Sequence, residues 1–194
     1  MHKINPALSQ LVIVDMQAKL AAAMSADAMQ QVTKNCSMLA QAAALLNIPT
    51  VLTEQYPQGL GATLAEIKLH LPSNKPITKM TFSACGEPKF NQQLQRENSH
   101  IILVGMEAHI CLLQTALDLI ALTTSGATSN DNKLSKTVFV VEDAIISRNP
   151  ANKANAVARL QQAGGVITNT ESVVFEWLGN ANHQAFKALS KLIR

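Results

Sequence analysis

Aromatic side chains make up only 4% of the 194 residues, charged ones only 15%, and cysteine occurs 3 times. So few aromatics exclude a base-stacking platform. The 16 Lys+Arg and 13 Asp+Glu leave a net charge of +3, and no Lys/Arg cluster marks one face. The electrostatic footprint of a nucleic-acid binder is therefore missing. Cys36, Cys85 and Cys111 are too few and too scattered for a disulfide framework, so a reducing cytoplasm is the expected setting. Met1-His2-Lys3-Ile4-Asn5-Pro6 lacks an apolar stretch ahead of a cleavage site. No apolar run approaches the ~18 residues that a membrane span needs, so no membrane partner is expected.

What is there is a core. Apolar residues make up 47% of the chain, enough at this length for one well-packed domain over residues 1–194. Short β-branched runs recur: Leu11-Val12-Ile13-Val14, Pro49-Thr50-Val51-Leu52, Pro76-Ile77-Thr78-Lys79-Met80, His100-Ile101-Ile102-Leu103-Val104, Thr137-Val138-Phe139-Val140-Val141 and Gly165-Val166-Ile167-Thr168. Most are continuous rather than alternating, which is how strands covered on both faces read. Helical patterns over residues 26–46, 88–97, 109–123, 150–163 and 182–193 lie between or after them. Asn149-Pro150 supplies an N-cap and first-turn proline for the fourth helix, and Gly164-Gly165 ends it. The alternation predicts an α/β fold, a three-layer α/β/α sandwich around a six-stranded, mostly parallel sheet of Rossmann-like topology. Residues 123–136 are polar and longer than a usual helix-to-strand connection, and are expected to be a surface-loop insertion.

In such sheets chemistry collects beyond the C-terminal ends of the strands. Asp15-Met16-Gln17 follows the first strand, where a dinucleotide binder would place a glycine-rich turn, and no GxxxxGK[ST] occurs anywhere. Next to Val14 and Met16, Asp15 is expected to be partly desolvated, with a raised carboxyl pKa suited to proton transfer. A turn or helix-cap role is the alternative. Lys79 interrupts an apolar strand end; alone, it reads most simply as a snorkelling surface lysine. Cys111 falls in the first turn of the helix that follows the fourth strand. There the helix dipole is expected to lower a thiol pKa, although free cysteines more commonly serve as small buried hydrophobes. Together, a thiol, a carboxylate and an ammonium at one sheet edge make an activated-nucleophile arrangement.

The segments LVIVDMQ, TKMTFSA and GMEAHICLLQTALDL resemble the three signature segments of the isochorismatase-like cysteine hydrolases. The likeness extends through EQYPQGLGATLAEI and from VVEDAIISRNPANKA to VVFEWLG, over nearly the whole chain. It is closest to the isochorismatase-domain-containing subgroup, through Glu54-Gln55-Tyr56 and Glu107-Ala108-His109-Ile110-Cys111. The resemblance implies an Asp–Lys–Cys triad, with Asp15 as general base, Lys79 as positioning cation and Cys111 as nucleophile. It implies a non-proline cis peptide between Met106 and Glu107, and an oxyanion hole from the backbone N–H groups of Glu107 and Cys111. Gln17, Gln55, Tyr56 and Phe82 are expected to wall the substrate pocket, and His109 to cap the helix or point into that pocket.

A cysteine at position 111 argues against vinyl-ether cleavage, the chemistry of isochorismatases proper. The Asp-x-His metal pair of nicotinamidases is replaced by Thr53-Glu54-Gln55-Tyr56, and the 5 histidines show no ligand spacing, so neither metal nor cofactor is expected. The expected activity is hydrolysis of an amide-like or ureido C–N bond of a small molecule. A catalytically silent scaffold and a thiol redox protein pairing Cys85 with Cys111 are the alternatives. Phe186, Leu189, Leu192 and Ile193 on the last helix suggest an apolar contact face, hence a homo-oligomer.

Overall fold

The computed structural model describes residues 3–94, 97–124 and 136–193. Six strands, β1 (Ser9–Val14), β2 (Thr50–Gln55), β3 (Ile77–Lys79), β4 (His100–Met106), β5 (Thr137–Ile146) and β6 (Val166–Thr168), form one sheet in the order β3-β2-β1-β4-β5-β6. Every pairing is parallel. The helices are α1 (Ala18–Ala21), α2 (Ala26–Leu45), α3 (Pro57–Leu60), α4 (Ala65–Lys68), α5 (Pro88–Gln93), α6 (Leu113–Thr124), α7 (Pro150–Gln162), α8 (Thr170–Leu178) and α9 (Phe186–Leu192). This is the three-layer architecture expected from the alternation of the sequence.

Alternate strand residues feed two cores. Leu11, Ile13, Ile102, Val104 and Met106 pack with Val32, Cys36 and Leu39 of α2, Val174 and Trp177 of α8, and Leu189 of α9. Val12, Val14, Ile101 and Leu103 pack on the other face with Phe90 of α5, Ala116 and Leu119 of α6, and Leu160 of α7. A strand buried on both faces has no polar face to show, hence the continuous apolar runs.

Several local expectations hold. Asn149 accepts from Ala151 N at 2.9 Å, Pro150 opens α7, and Gly164 beyond its end has φ +97°. Others are corrected. The helix expected over 88–97 stops at Gln93, and the last helix begins at Phe186 rather than 182. Helix α8, missed in the sequence, is capped by Asn169 Oδ1, which accepts from Ser172 N at 2.8 Å. Its Val-Val-Phe run carries no helical signature. What holds it is burial of Val173, Val174 and Trp177, with Trp177 Nε1 donating to Ser9 Oγ at 3.0 Å. The apolar face of α9 is also not free. Leu189 is fully buried, and the partly buried Phe186, Leu192 and Ile193 pack against the same core. Most of the 123–136 insertion lies outside the described residues, although α6 already occupies its first two positions.

Candidate active site

The strand order turns back at β1. β2 and β3 lie on one side of it and β4 to β6 on the other, which places a crevice at the C-terminal ends of β1 and β4. Asp15 follows β1, and Cys111 lies five residues beyond Met106, the last residue of β4. Their approach depends on Gly105. It pairs with Val14, has φ +122°, and any Cβ there would stand 2.0 Å from the Val14 carbonyl oxygen. Only glycine lets the two strand ends lie this close.

Asp15 is wholly buried, with a left-handed φ of +49°. Its main-chain N–H donates to Thr53 O at 3.2 Å, and Thr53 Oγ1 donates to Asp15 Oδ1 at 2.7 Å. Oδ2 stands 2.7 Å from Lys79 Nζ, with both side chains fully excluded from solvent. Apart from that ionic contact, Oδ2 accepts no aligned hydrogen bond among the described residues. One carboxylate oxygen is thus hydrogen-bonded by Thr53 while the other faces the Lys79 ammonium.

Lys79 is no surface lysine. In β3 it shares its inward face with Ile77, and Nζ also donates to Gln55 Oε1 at 2.7 Å, Phe82 O at 3.0 Å and Thr81 O at 3.3 Å. A buried charge survives only when it is paired and bonded in this way.

Cys111 is 6% exposed, and its thiol sits close enough to Asp15 and Lys79 for both to act on its proton. The turn that carries it, Ala108–Leu112, is π-helical and leads into α6, so the α-helix expected from residue 109 begins only at Leu113. The expected low thiol pKa is also corrected. Burial pushes it up from the ordinary 9.0 to about 12; the negative charge of Asp15 adds to the rise and the ammonium of Lys79 opposes it. The resting sulfur is therefore a neutral thiol. Cys85 is likewise pushed up by burial, to about 11, and Cys36 is raised in the core, where its thiol donates to Ala144 O at 3.3 Å.

The Met106–Glu107 peptide is cis. The Glu107 side chain is buried and ion-paired through Oε1 to Arg148 Nε, while Oε2 accepts from Arg148 N at 3.3 Å. His109 Nδ1 lies 2.9 Å from Ser147 Oγ and 3.4 Å from Glu107 Oε2, which ties that ring nitrogen to the end of β5.

The remaining expected pocket residues divide. Gln17 is fully buried, and its amide is spent on main chain: Nε2 donates to Gly61 O at 2.6 Å and Gln55 O at 3.0 Å, and Oε1 accepts from Gln55 N at 2.8 Å. It is a strut behind the site, with no polar group left for a substrate. Gln55 holds Lys79 and donates to Met80 O at 3.0 Å. Tyr56 and Phe82 present half-exposed rings after β2 and β3, where a pocket wall would stand. Glu54 of the Thr53-Glu54-Gln55-Tyr56 segment is taken up by Thr63, whose N and Oγ1 both donate to Oε1 at 2.7 Å. Thr53 and Arg148 were missed in the sequence. Applying the strand-end rule to β5 would have found Arg148, had that strand not been read five residues too short.

The Isochorismatase domain family matches residues 9–172. Isochorismatase domain-containing protein 2 of Bos taurus is 35% identical over 194 residues, covering 99% of this chain and 86% of that protein. Among solved structures, the MAR1 ribonuclease of Caenorhabditis elegans is 36% identical with a TM-score of 0.86, covering 99% of this chain and 92% of that one. YcaC from Pseudomonas aeruginosa, with hexane-2,5-diol and covalent acrylamide, is 25% identical with a TM-score of 0.81, covering 98% and 95%.

Proposed function

The chain belongs to the isochorismatase family, and from that premise we propose that it is a cysteine hydrolase cleaving an amide-like or ureido C–N bond of a small molecule. The observation that carries this reading is a buried thiol whose proton is acted on by both a carboxylate and an ammonium that are themselves 2.7 Å apart. Because the resting thiol is neutral, its proton passes to Asp15 Oδ2 as the sulfur attacks. The Lys79 charge offsets the thiolate as it forms. The carbonyl oxygen of the tetrahedral intermediate is received by the backbone N–H groups of Glu107 and Cys111. The C–N bond then breaks, and the proton on Asp15 moves to the leaving nitrogen. Water next gives a proton to Asp15 and its oxygen to the acyl carbon. The acid departs, and the sulfur recovers its proton from Asp15.

The covalent acrylamide in YcaC supports this reading, since a conjugated amide is the kind of electrophile that a thiolate captures. The C. elegans relative favours a second reading, cleavage of RNA. Against it, the Lys79 charge is turned wholly inward onto four oxygens, so it cannot neutralise an incoming phosphate. A nucleophilic free thiol needs a reducing compartment, the cytoplasm in this reading.

The test is intact-mass spectrometry during incubation with a panel of primary amides and N-carbamoyl compounds, with RNA as a parallel arm. An acyl adduct on Cys111, lost in Cys111→Ala, is the expected result. Full turnover by Cys111→Ala would remove the nucleophile assignment, and RNA cleavage without an adduct would favour the second reading. Silence toward the whole panel would favour a scaffold. A Cys85–Cys111 disulfide under mild peroxide would favour redox chemistry.

A further inference from the structure

Arg148 has no part in the chemistry above, yet its placement is unusually well determined. It lies two residues past the end of β5, beside the glutamate that opens the nucleophile's turn. Its main-chain N and its Nε both bond Glu107, whose side chain is only 5% exposed. The Arg148 side chain is 58% exposed, and among the described residues neither of its terminal Nη groups has a partner. An ordinary surface arginine loses much rotamer entropy when it grips a ligand. This one is already held at Nε, so less is lost per bond formed.

The sheet register gives the reach. Val14 pairs with Gly105 and Gly105 with Ile145, so Asp15, Met106 and Ile146 stand in one row across three neighbouring strands. At ~4.8 Å per strand, Arg148 starts about 10 Å across the sheet edge from Asp15. Two parallel Nη–H donors match the two oxygens of a carboxylate.

On the cysteine-hydrolase reading, we infer that Arg148 is a specificity residue that binds a carboxylate several bonds from the scissile carbonyl, so that the substrate is an anionic amide. Glu107 is its positioning residue. It fixes the Nε edge of the guanidinium and leaves the far edge open.

The test uses two matched electrophiles, N-acryloyl-β-alanine and its neutral isostere N-acryloyl-β-alaninamide. In each the sulfur adds to the terminal alkene carbon and the proton goes to the neighbouring carbon, with no leaving group. The readout is the ratio of the two labelling rates at Cys111, followed by peptide mass mapping. The wild-type protein is expected to favour the carboxylate probe on the order of tenfold, the scale of one charge-assisted contact. Arg148→Gln is expected to bring the ratio to about one, and Arg148→Lys to an intermediate value. Should Arg148→Gln strand the Glu107 charge and fail to fold, the double variant Glu107→Gln/Arg148→Gln removes both charges and is expected to give the same ratio. Equal labelling by the two probes in the wild type, or a preference that survives loss of the guanidinium, overturns the inference and leaves the nucleophile assignment standing. Failure of both probes to label Cys111 sinks the nucleophile assignment and this inference with it.

Discussion

Asp15 and Lys79 meet with both side chains wholly excluded from solvent, whereas Glu107 is buried and its partner Arg148 is 58% exposed. Both pairs stand at the C-terminal edge of the same sheet, one at the ends of β1 and β3 and the other beyond β4 and β5. The closed pair spends its charge inward, on a thiol and a ring of amide oxygens, and water cannot compete for it. The open pair buries only its anion and presents its cation outward. On the proposed function, the charge that acts on a proton is kept from solvent, and the charge that meets a ligand is held still and left accessible.

Breaking each pair should show the difference at full size. Lys79→Met leaves the Asp15 carboxylate buried without its cation and is expected to cost about 3–5 kcal/mol in denaturant unfolding, together with any hydrolytic activity. Arg148→Gln leaves Glu107 its main-chain donor and is expected to cost only about 1 kcal/mol. Equal losses would mean that the two pairs are not distinct in kind.

Smaller perturbations sharpen the contrast. Asp15 raises the Cys111 thiol pKa, so Asp15→Asn should lower it and speed iodoacetamide labelling at pH 8 several-fold while abolishing hydrolysis. Glu107→Gln should leave that labelling rate near the wild-type value. Slower labelling in Asp15→Asn would reverse the electrostatic sign assigned here. In the wild-type protein the rate should climb with pH and show no plateau below about 12.

The smallest effect is alkaline. Buried thiols keep their protons in the folded chain that they would lose on unfolding near the ordinary 9.0, Cys85 up to about 11 and Cys111 up to about 12. The unfolded state therefore binds fewer protons, and stability should decline as pH rises above about 9. A melting series from pH 8 to 10.5 reads this, and Cys85→Ala should flatten part of the slope.

The parallel sheet and its helices were legible because strands buried on both faces have to be continuous apolar runs, and because Asn149-Pro150 and Gly164 punctuate α7. The convergence of Asp15, Lys79 and Cys111 at one sheet edge was legible because each follows or ends such a run. The sign of the Cys111 shift was not, since burial is set by packing that brings Asp15 to the sulfur from another strand. The contacts of Thr53 and Arg148 were hidden for the same reason. Each is made to a neighbour 38 or 41 positions away in the chain. Gln17 misled in the opposite direction, because a strand-end amide can equally well bind its own backbone.

The lysine at the centre of the site has three N–H bonds and four oxygens around them, from Asp15, Gln55, Thr81 and Phe82. The three N–H bonds go to Gln55, Thr81 and Phe82, and Asp15 Oδ2 is held by charge alone. On the proposed mechanism, placing the sulfur's proton on Asp15 therefore breaks no hydrogen bond of the ammonium, and the transfer requires no rearrangement of the lysine.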